Sequence, residues 1–249
     1  MRIGLFGFGK AGKAVAAVIL ESRDCTLKWV VRKSTVLDHR SAPEYLGINS
    51  EDPGLVYSKN EFNEIENGKN LEVDAIVDFS GTASIYEYGD YAVRHNCMVV
   101  TAISNYGEKE KTYLKELGQS IRILWSPNIT IGINFLLIAA EVLKKIAPEA
   151  DIVILEEHFK TKSEVSGTAK VLARHLDLDE NNIKSIRAGG IVGKHEILFG
   201  FPYQVVRLIH ESISREAFGN GAIFALRNIM DKPDGLYTME DIIKPYFSI

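Results

Sequence analysis

Between Glu156 and Ala169 the chain brings together an imidazole (His158), two ammonium groups (Lys160 and Lys162) and a Ser166-Gly167-Thr168 turn. Donors and positive charge concentrated in one short segment suit a small anion, above all a carboxylate. An imidazole titrates near neutrality and an ammonium holds a charge, so the set could both bind an acid and move a proton. The same residues also read as a solvated loop closed by a helix cap, with Ser166 or Thr168 at the N-cap. Local composition leaves both readings open.

Those side chains need elements to hold them. The apolar run Ile152-Val153-Ile154-Leu155 reads as a buried strand spanning Asp151 to Glu157, and a short helix is expected from about Thr168 to His175. The segment is therefore a strand-to-helix junction. At the start of the chain, Arg2 to Phe6 is a second apolar strand, followed at once by Gly7-Phe8-Gly9-Lys10-Ala11-Gly12 and a helical pattern from Lys13 to about Ser22. This is G-x-G-x-x-G between strand and helix, the setting in which the motif binds a dinucleotide. Gly7 permits the tight turn, Gly9 lets a pyrophosphate approach the backbone, and Gly12 lets helix and strand pack closely. Phe8, Lys10 and Ala11 fill the rest of that loop. The next strand, Thr26 to Val31, ends at Arg32-Lys33-Ser34, where NAD-specific domains place a carboxylate. Arg32 and Lys33 would pair with a 2′-phosphate, so NADPH is expected in preference to NADH, with NADH still possible. The plainer alternative makes both solvated surface cations.

Further along, His39 to Asn70 is a polar stretch with one short helix, read as surface connection. Strands are expected at Ala75 to Gly81, Met98 to Ala102 and Ile121 to Trp125, the first ending in polar residues, separated by helices at about Ser84 to His95 and Lys109 to Ser120. Such alternation implies an α/β domain of the Rossmann type, a doubly wound parallel sheet. Ligands of such sheets lie beyond the carboxyl ends of the strands, which adds Phe79, Ser80, Thr101 and Asn128 to the cofactor-binding candidates. After an amphipathic helix at Thr130 to Lys145, strands are expected at Asp151 to Glu157, Ile183 to Ala188, His195 to Gly200 and Tyr203 to Ser212. The last three follow one another through short turns, which argues for an α+β domain with a mixed sheet. The expected division is 1–127 for dinucleotide binding, completed by 216–249, and 128–215 for substrate binding and oligomerisation. His39, His95 and Cys97 read as surface or core, and His195 and His210 as core or sheet-interface residues.

The 249 residues carry a net charge of −4, which gives no basic footprint for nucleic acid. Two cysteines, Cys25 and Cys97, form neither a disulfide framework nor a metal spacing, and no metal is expected. Lys10 and Lys13 interrupt the amino-terminal apolar run, so no signal peptide is read there, and no stretch is long and apolar enough to span a membrane. A cytoplasmic protein is the expectation.

With these residues assembled, the chain resembles the 4-hydroxy-tetrahydrodipicolinate reductase (dihydrodipicolinate reductase) family over nearly its whole length. The likeness rests on the Gly7–Gly12 motif, Val77-Asp78-Phe79-Ser80, Ser126-Pro127-Asn128 with Ile129 to Asn134, and Arg187-Ala188-Gly189-Gly190 through His195. Ser214-Arg215, Phe218 to Ala222 and Gly235-Leu236-Tyr237 complete it. The family's central motif, E-x-H-H-R-x-K-x-D-x-P-S-G-T, implies that His158 and Lys162 are the catalytic pair and that Ser166, Gly167 and Thr168 cradle a substrate carboxylate. Phe159 stands where the family has its second histidine, Lys160 where it has arginine, and Thr101-Ala102-Ile103-Ser104 where it has G-T-T-G. By resemblance, Phe159 and Lys162 also touch the substrate, a small dicarboxylate reduced with hydride from NADPH, and four copies assemble through the substrate-domain sheets. Two alternatives remain: a reductase of another cyclic imine or enamine acid, and a non-catalytic NADP-binding regulatory protein.

Overall fold

Short apolar runs bounded by glycine and polar residues become strands, and the amphipathic segments between them become helices that cover the sheet faces. The computed structural model describes residues 1–37, 39–65 and 71–247. The chain divides into two compact units, one of Met1–Thr130 with Phe218–Ile249 and another of Ile131–Ala217.

In the first unit, β1 (Arg2–Phe6), β2 (Thr26–Arg32), β3 (Leu55–Ser58), β4 (Ala75–Asp78), β5 (Met98–Thr101), β6 (Arg122–Trp125) and a late strand (Gly235–Tyr237) form one sheet. The order is late strand, β6, β5, β4, β1, β2, β3, and every pairing is parallel. From β1 the chain winds one way to β2 and β3 and the other way to β4, β5 and β6. The order therefore reverses beside β1, and a crevice opens at the carboxyl ends of β1 and β4. Helices α1 (Lys10–Glu21), α2 (Ala42–Leu46), α3 (Lys59–Ile65), α4 (Ile85–Arg94) and α5 (Glu108–Leu117) connect the strands. The helix α1 begins three residues before the apolar pattern does, because Gly9 caps it and Gly12 must sit in its first turn.

The polar stretch from His39 is a correction. Most of it is structured, with α2, β3 and α3 inside it, while 66–70 lie outside the described residues. Strand β3 holds only four residues, too few for a visible alternation. Its helix sends Phe62 into a cluster with Phe6, Trp29 and Tyr91. Trp29 and Tyr91 both donate to the Leu71 carbonyl, at 2.8 Å each, so the polar edges of the cluster are satisfied. The late strand likewise gives no sign of itself in the sequence. At three residues it gains its place by pairing with β6. Trp125, at the end of β6, donates to the Ile103 carbonyl at 2.9 Å. Cys97 is buried in the same core, whereas His39 and His95 are exposed.

The second unit opens with α6 (Ile131–Ile146), whose buried stripe Ile133, Leu136, Leu137 and Ala140 follows the helical period. Next come β7 (Asp151–His158), α7 (Gly167–His175), β8 (Ile183–Arg187), β9 (Lys194–Phe201) and β10 (Gln204–Glu211). The sheet order is β10-β9-β7-β8, antiparallel except for the β7–β8 pair. A doubly wound parallel sheet and a separate mixed sheet were the expected fold class, and that class is what the chain adopts. The helices α8 (Glu216–Ile229) and α9 (Met239–Ile243) close the chain, with Phe218 onward grouped in the first unit. Among the described residues no helix is long and apolar enough to cross a membrane, and no group of three or more His, Cys, Asp or Glu is arranged to hold a metal.

Close approach at the first turn has a measurable consequence. A Cβ on Gly12 would lie 2.0 Å from the Gly7 carbonyl oxygen, a backbone atom that cannot turn aside, whereas one on Gly9 would meet nothing within 4 Å. We expect Gly12→Ala to destabilise the first unit by about 1–3 kcal/mol in denaturant unfolding. Gly9→Ala should cost under about 1 kcal/mol.

Candidate functional site

Each unit carries a candidate site of its own. In the first, Gly7 turns the chain at φ +99° immediately after β1, a conformation that glycine adopts without strain. Its space is bounded by the backbone of Phe79 and Ser80, 2.6–2.8 Å from where a Cβ would be. Helix α1 follows with no side-chain cap on Gly9 and no acidic residue in its first turn, so its amide donors and partial positive charge face outward. A cleft of about 540 Å³ spreads from this turn, lined by Gly7, Phe8, Gly9, Arg32, Lys33, Ser34, Lys59, Phe79, Ser80, Gly81 and Glu87 among others. A second hollow of about 300 Å³ shares Phe79, Ser80 and Gly81 with it and continues past Ala11, Ala102, Ile103, Ser104, Asn105, Asn128 and Phe218. Two adjoining hollows across the switch point, with an uncapped helix end between them, fit a dinucleotide.

Beneath the shared wall lies a buried polar network. Asp78 at the end of β4 accepts from the Ser80 amide at 2.9 Å, the Ser80 hydroxyl at 2.5 Å and the Tyr88 hydroxyl at 2.9 Å. Burial pushes its carboxyl up to about 6, with the Ser80 and Tyr88 hydrogen bonds pulling the other way. Thr101 shares a 2.9 Å hydrogen bond with the Tyr106 hydroxyl and has no exposed surface. Its side chain thus supports the floor of the groove, and the residues after it, Ala102 to Asn105, form the lining. Lys10 likewise does not line either hollow. It is exposed on the first turn of α1.

In the second unit the organising group is Glu156, which has no exposed surface. Residues 154, 156 and 158 of β7 point to the same buried face, since a strand alternates with period two. Burial acts to raise the Glu156 carboxyl, but hydrogen bonds from Arg187, Ser185 and His158 outweigh it and hold the group at about 2. Arg187 donates to both oxygens, at 3.0 and 2.5 Å, and Ser185 donates at 2.5 Å. His158 meets one of these oxygens through Nδ1. An ionised carboxylate only accepts, so Nδ1 carries the proton and Nε2 is the atom left toward Gly193. A Cβ on Gly193 would sit 3.1 Å from that Nε2.

Arg187 does more than neutralise the carboxylate. Its Nε donates to the Lys162 carbonyl and its Nη2 to the Glu164 carbonyl, both at 2.9 Å, which ties down the loop after β7. The Lys160 amide is held by the Gly189 carbonyl at 3.1 Å. The Lys162 ammonium, half-buried, makes no hydrogen bond or ion pair with another described residue. Ser166 precedes α7, and its hydroxyl lies 2.9 Å from His195 Nε2. Burial first, then the nearby His158 and His210 charges, lower His195 to about 4, so it is neutral at physiological pH. Gly167 is exposed and Thr168 half-buried in the first turn of α7, and Phe159 is 40% exposed at the head of the loop.

The second unit therefore brings together His158, Lys162 and the Ser166–Thr168 turn, as the first brings together the glycine loop, Arg32 to Ser34, Phe79, Ser80 and Asn128. Sequence reasoning gave no role to Glu156, Ser185 and Arg187, and read His195 as a core or sheet-interface residue, which the structure buries on β9. A signal for Glu156 was present, because an acid two residues before a histidine on a strand shares its face. Ser185 and Arg187 reach the group only through the β7–β8 pairing, in which Glu156 lies opposite Ser185 and His158 opposite Arg187.

Comparison with known proteins gives a consistent result. A family model described as "Dihydrodipicolinate reductase, N-terminus" matches residues 1–129, and one described as "Dihydrodipicolinate reductase, C-terminus" matches residues 129–243. A relative named 4-hydroxy-tetrahydrodipicolinate reductase, from Thermosipho africanus (strain TCF52B), is 36% identical over 175 residues, covering 70% of this chain and 80% of its own. Another of the same name, from Rickettsia canadensis (strain McKiel), is 31% identical over 265 residues, covering 99% and 100%. Among solved structures, a dipicolinate-bound dihydrodipicolinate reductase from Paenisporosarcina sp. TG-14 superposes with a TM-score of 0.75 at 18% identity, over 96% of this chain and 97% of that one. At that identity the likeness speaks for the fold alone.

The neutral His195 yields a stability test. The unfolded chain takes up this proton near pH 6.5 and the folded chain near pH 4, so the stability it contributes is present above about 6.5 and is lost on acidification. Asp78 works in the opposite sense over about pH 4 to 6, so only a difference between proteins isolates the histidine. In calorimetry from pH 7 to 4.5, the Tm advantage over His195→Gln should shrink, by roughly 2–4 °C for each kcal/mol lost.

Proposed function

The chain belongs to the dihydrodipicolinate reductase family, and from that premise we propose that it reduces 4-hydroxy-tetrahydrodipicolinate to tetrahydrodipicolinate with a nicotinamide cofactor, a step of lysine and diaminopimelate synthesis. The observation that carries the reading is the arrangement around Glu156. A buried anion fixes His158 in its Nδ1–H form, and its partner Arg187 holds the backbone of Lys162, whose ammonium makes no ion pair with another described residue. A lysine side chain not spent on a neighbouring acid is suited to a substrate carboxylate.

The first unit takes the role of dinucleotide-binding domain and the second that of substrate-binding and oligomerisation domain. Gly7 and Gly9 give the pyrophosphate room at the start of α1, Arg32, Lys33 and Ser34 receive the adenosine ribose, and Ser80 and Asn128 line the half that would take the nicotinamide. Loss of the 4-hydroxyl as water leaves a conjugated, electron-poor imine, to which the reduced nicotinamide would supply hydride when bound. Ser166, Gly167 and Thr168 orient one carboxylate through hydroxyl and backbone donors, with the Ser166 hydroxyl held by neutral His195. Lys162 binds a carboxylate, and the reduced product takes its proton from the Lys162 ammonium or from His158 when Nε2 is protonated as well as Nδ1.

Arg32 and Lys33, with no carboxylate at the end of β2, support NADPH over NADH. Homotetramer formation is supported by β10, an edge strand whose odd-numbered residues Val205 and Ile209 are more than half exposed. The cytoplasm is the compartment this metabolic role implies.

Coupled turnover tests the reading. Aspartate semialdehyde, pyruvate and the preceding synthase generate the substrate, and loss of NADPH absorbance is followed. Steady consumption is expected, and Lys162→Met should lower kcat/KM by about 100-fold or more. Absence of turnover with both nicotinamides at high enzyme would overturn it. Sedimentation velocity should give the mass of four chains.

A further inference from the structure

The groove of the first unit contains an ion pair that the cofactor reading leaves unexplained. In the parallel register of β2 and β3, Arg32 lies opposite Ser58. The next residues, Lys33 and Lys59, thus leave adjacent strands at the carboxyl edge, and both line the 540 Å³ cleft together with Arg32 and Ser34. Among the described residues, Arg32 and Lys33 make no ion pair, whereas Lys59 is paired with Glu87 Oε1 from α4. Glu87 lines the same cleft with its side chain only 13% exposed, and its second oxygen, Oε2, is buried without a hydrogen-bond partner among the described residues. The carboxylate therefore spends no charge on other donors and keeps its full attraction for Lys59.

We propose that Lys59 is a specificity-determining residue, a third cation for the 2′-phosphate of NADPH, and that Glu87 opposes it, so that this pair sets how strongly NADPH is preferred to NADH. The proposal rests on the groove being the nucleotide site. Lysine is a point charge on a flexible four-carbon stem, so it can leave Oε1 for a phosphate oxygen without moving the backbone. At 38% exposure Lys59 has room for that turn. A phosphate approaching the cleft meets three cations and one carboxylate, and the carboxylate both repels it and competes for its nearest ligand. A ribose hydroxyl carries no charge and meets neither effect. Substituting the two partners should therefore move nucleotide preference in opposite directions.

Isothermal titration calorimetry of the full chain with NADPH and with NADH, at one ionic strength, decides the matter. Lys59→Met keeps the stem and removes the charge. We expect it to weaken NADPH by about tenfold while NADH changes by less than about twofold, as for loss of one charge-assisted contact. Glu87→Gln should strengthen NADPH relative to NADH by about threefold or more, a like-charge repulsion removed. An unchanged NADPH-to-NADH ratio in both variants would overturn the proposal. So would an equal loss of both nucleotides in Lys59→Met, which marks a structural role. If the unsubstituted chain binds neither nucleotide, the reading of the groove fails and this proposal with it. If it binds both without turning over the substrate, the ratio still decides the role of Lys59.

Discussion

A carboxylate with no exposed surface is tolerated only where positive charge and donors surround it, and the second unit is arranged around that requirement at Glu156. Arg187 covers both oxygens, Ser185 adds a hydroxyl and His158 adds its Nδ1 proton. Each partner then acquires a geometry it would not have alone. The imidazole is fixed in rotation and tautomer, and the guanidinium, anchored by the anion, has three donors left, for the carbonyls of Lys162, Glu164 and Ile186. Buried charge here sets positions and does not have to add stability. An irregular loop becomes as well placed as the strand that precedes it, which is what a proton-transfer site needs from its side chains.

The first unit meets a comparable requirement with backbone in place of charge. Gly7 and Gly12 let β1 and α1 approach so closely that the helix end, with its unsatisfied amides, stands at the point where the sheet order reverses. The wall opposite is kept in place by Asp78, whose three hydrogen bonds draw in both donors of Ser80 and the hydroxyl of Tyr88. Polar groups that never touch a ligand thus decide the shape of the surface that does.

Much of this was legible in the sequence because the signals were local. The G-x-G-x-x-G turn between strand and helix, the apolar four- and five-residue strands and the strand-to-helix junction at His158 each announce themselves within a dozen residues or so. What escaped depends on partners distant in sequence. Strand β3 and the late strand are too short to show a period, and they exist because β2 and β6 offer open edges. Phe62 reads as a lone aromatic in a polar stretch, yet it packs on Phe6 and Trp29. Ser185 and Arg187 look like ordinary strand-end residues until pairing with β7 sets them against Glu156 and His158. Thr101 shows the converse, a residue at the right edge of the sheet whose hydroxyl turns inward to Tyr106.

The chain has two tryptophans, and both belong to the first unit. Trp29 is buried in its aromatic cluster and Trp125 ends β6, while the unit that carries Glu156, His158 and Lys162 has no indole at all. Intrinsic indole emission is therefore a one-sided witness: it reports loosening around the dinucleotide groove and is blind to melting of the mixed sheet. An indole-based screen for stabilising small molecules would record compounds that settle in the groove and miss those that settle beside α7.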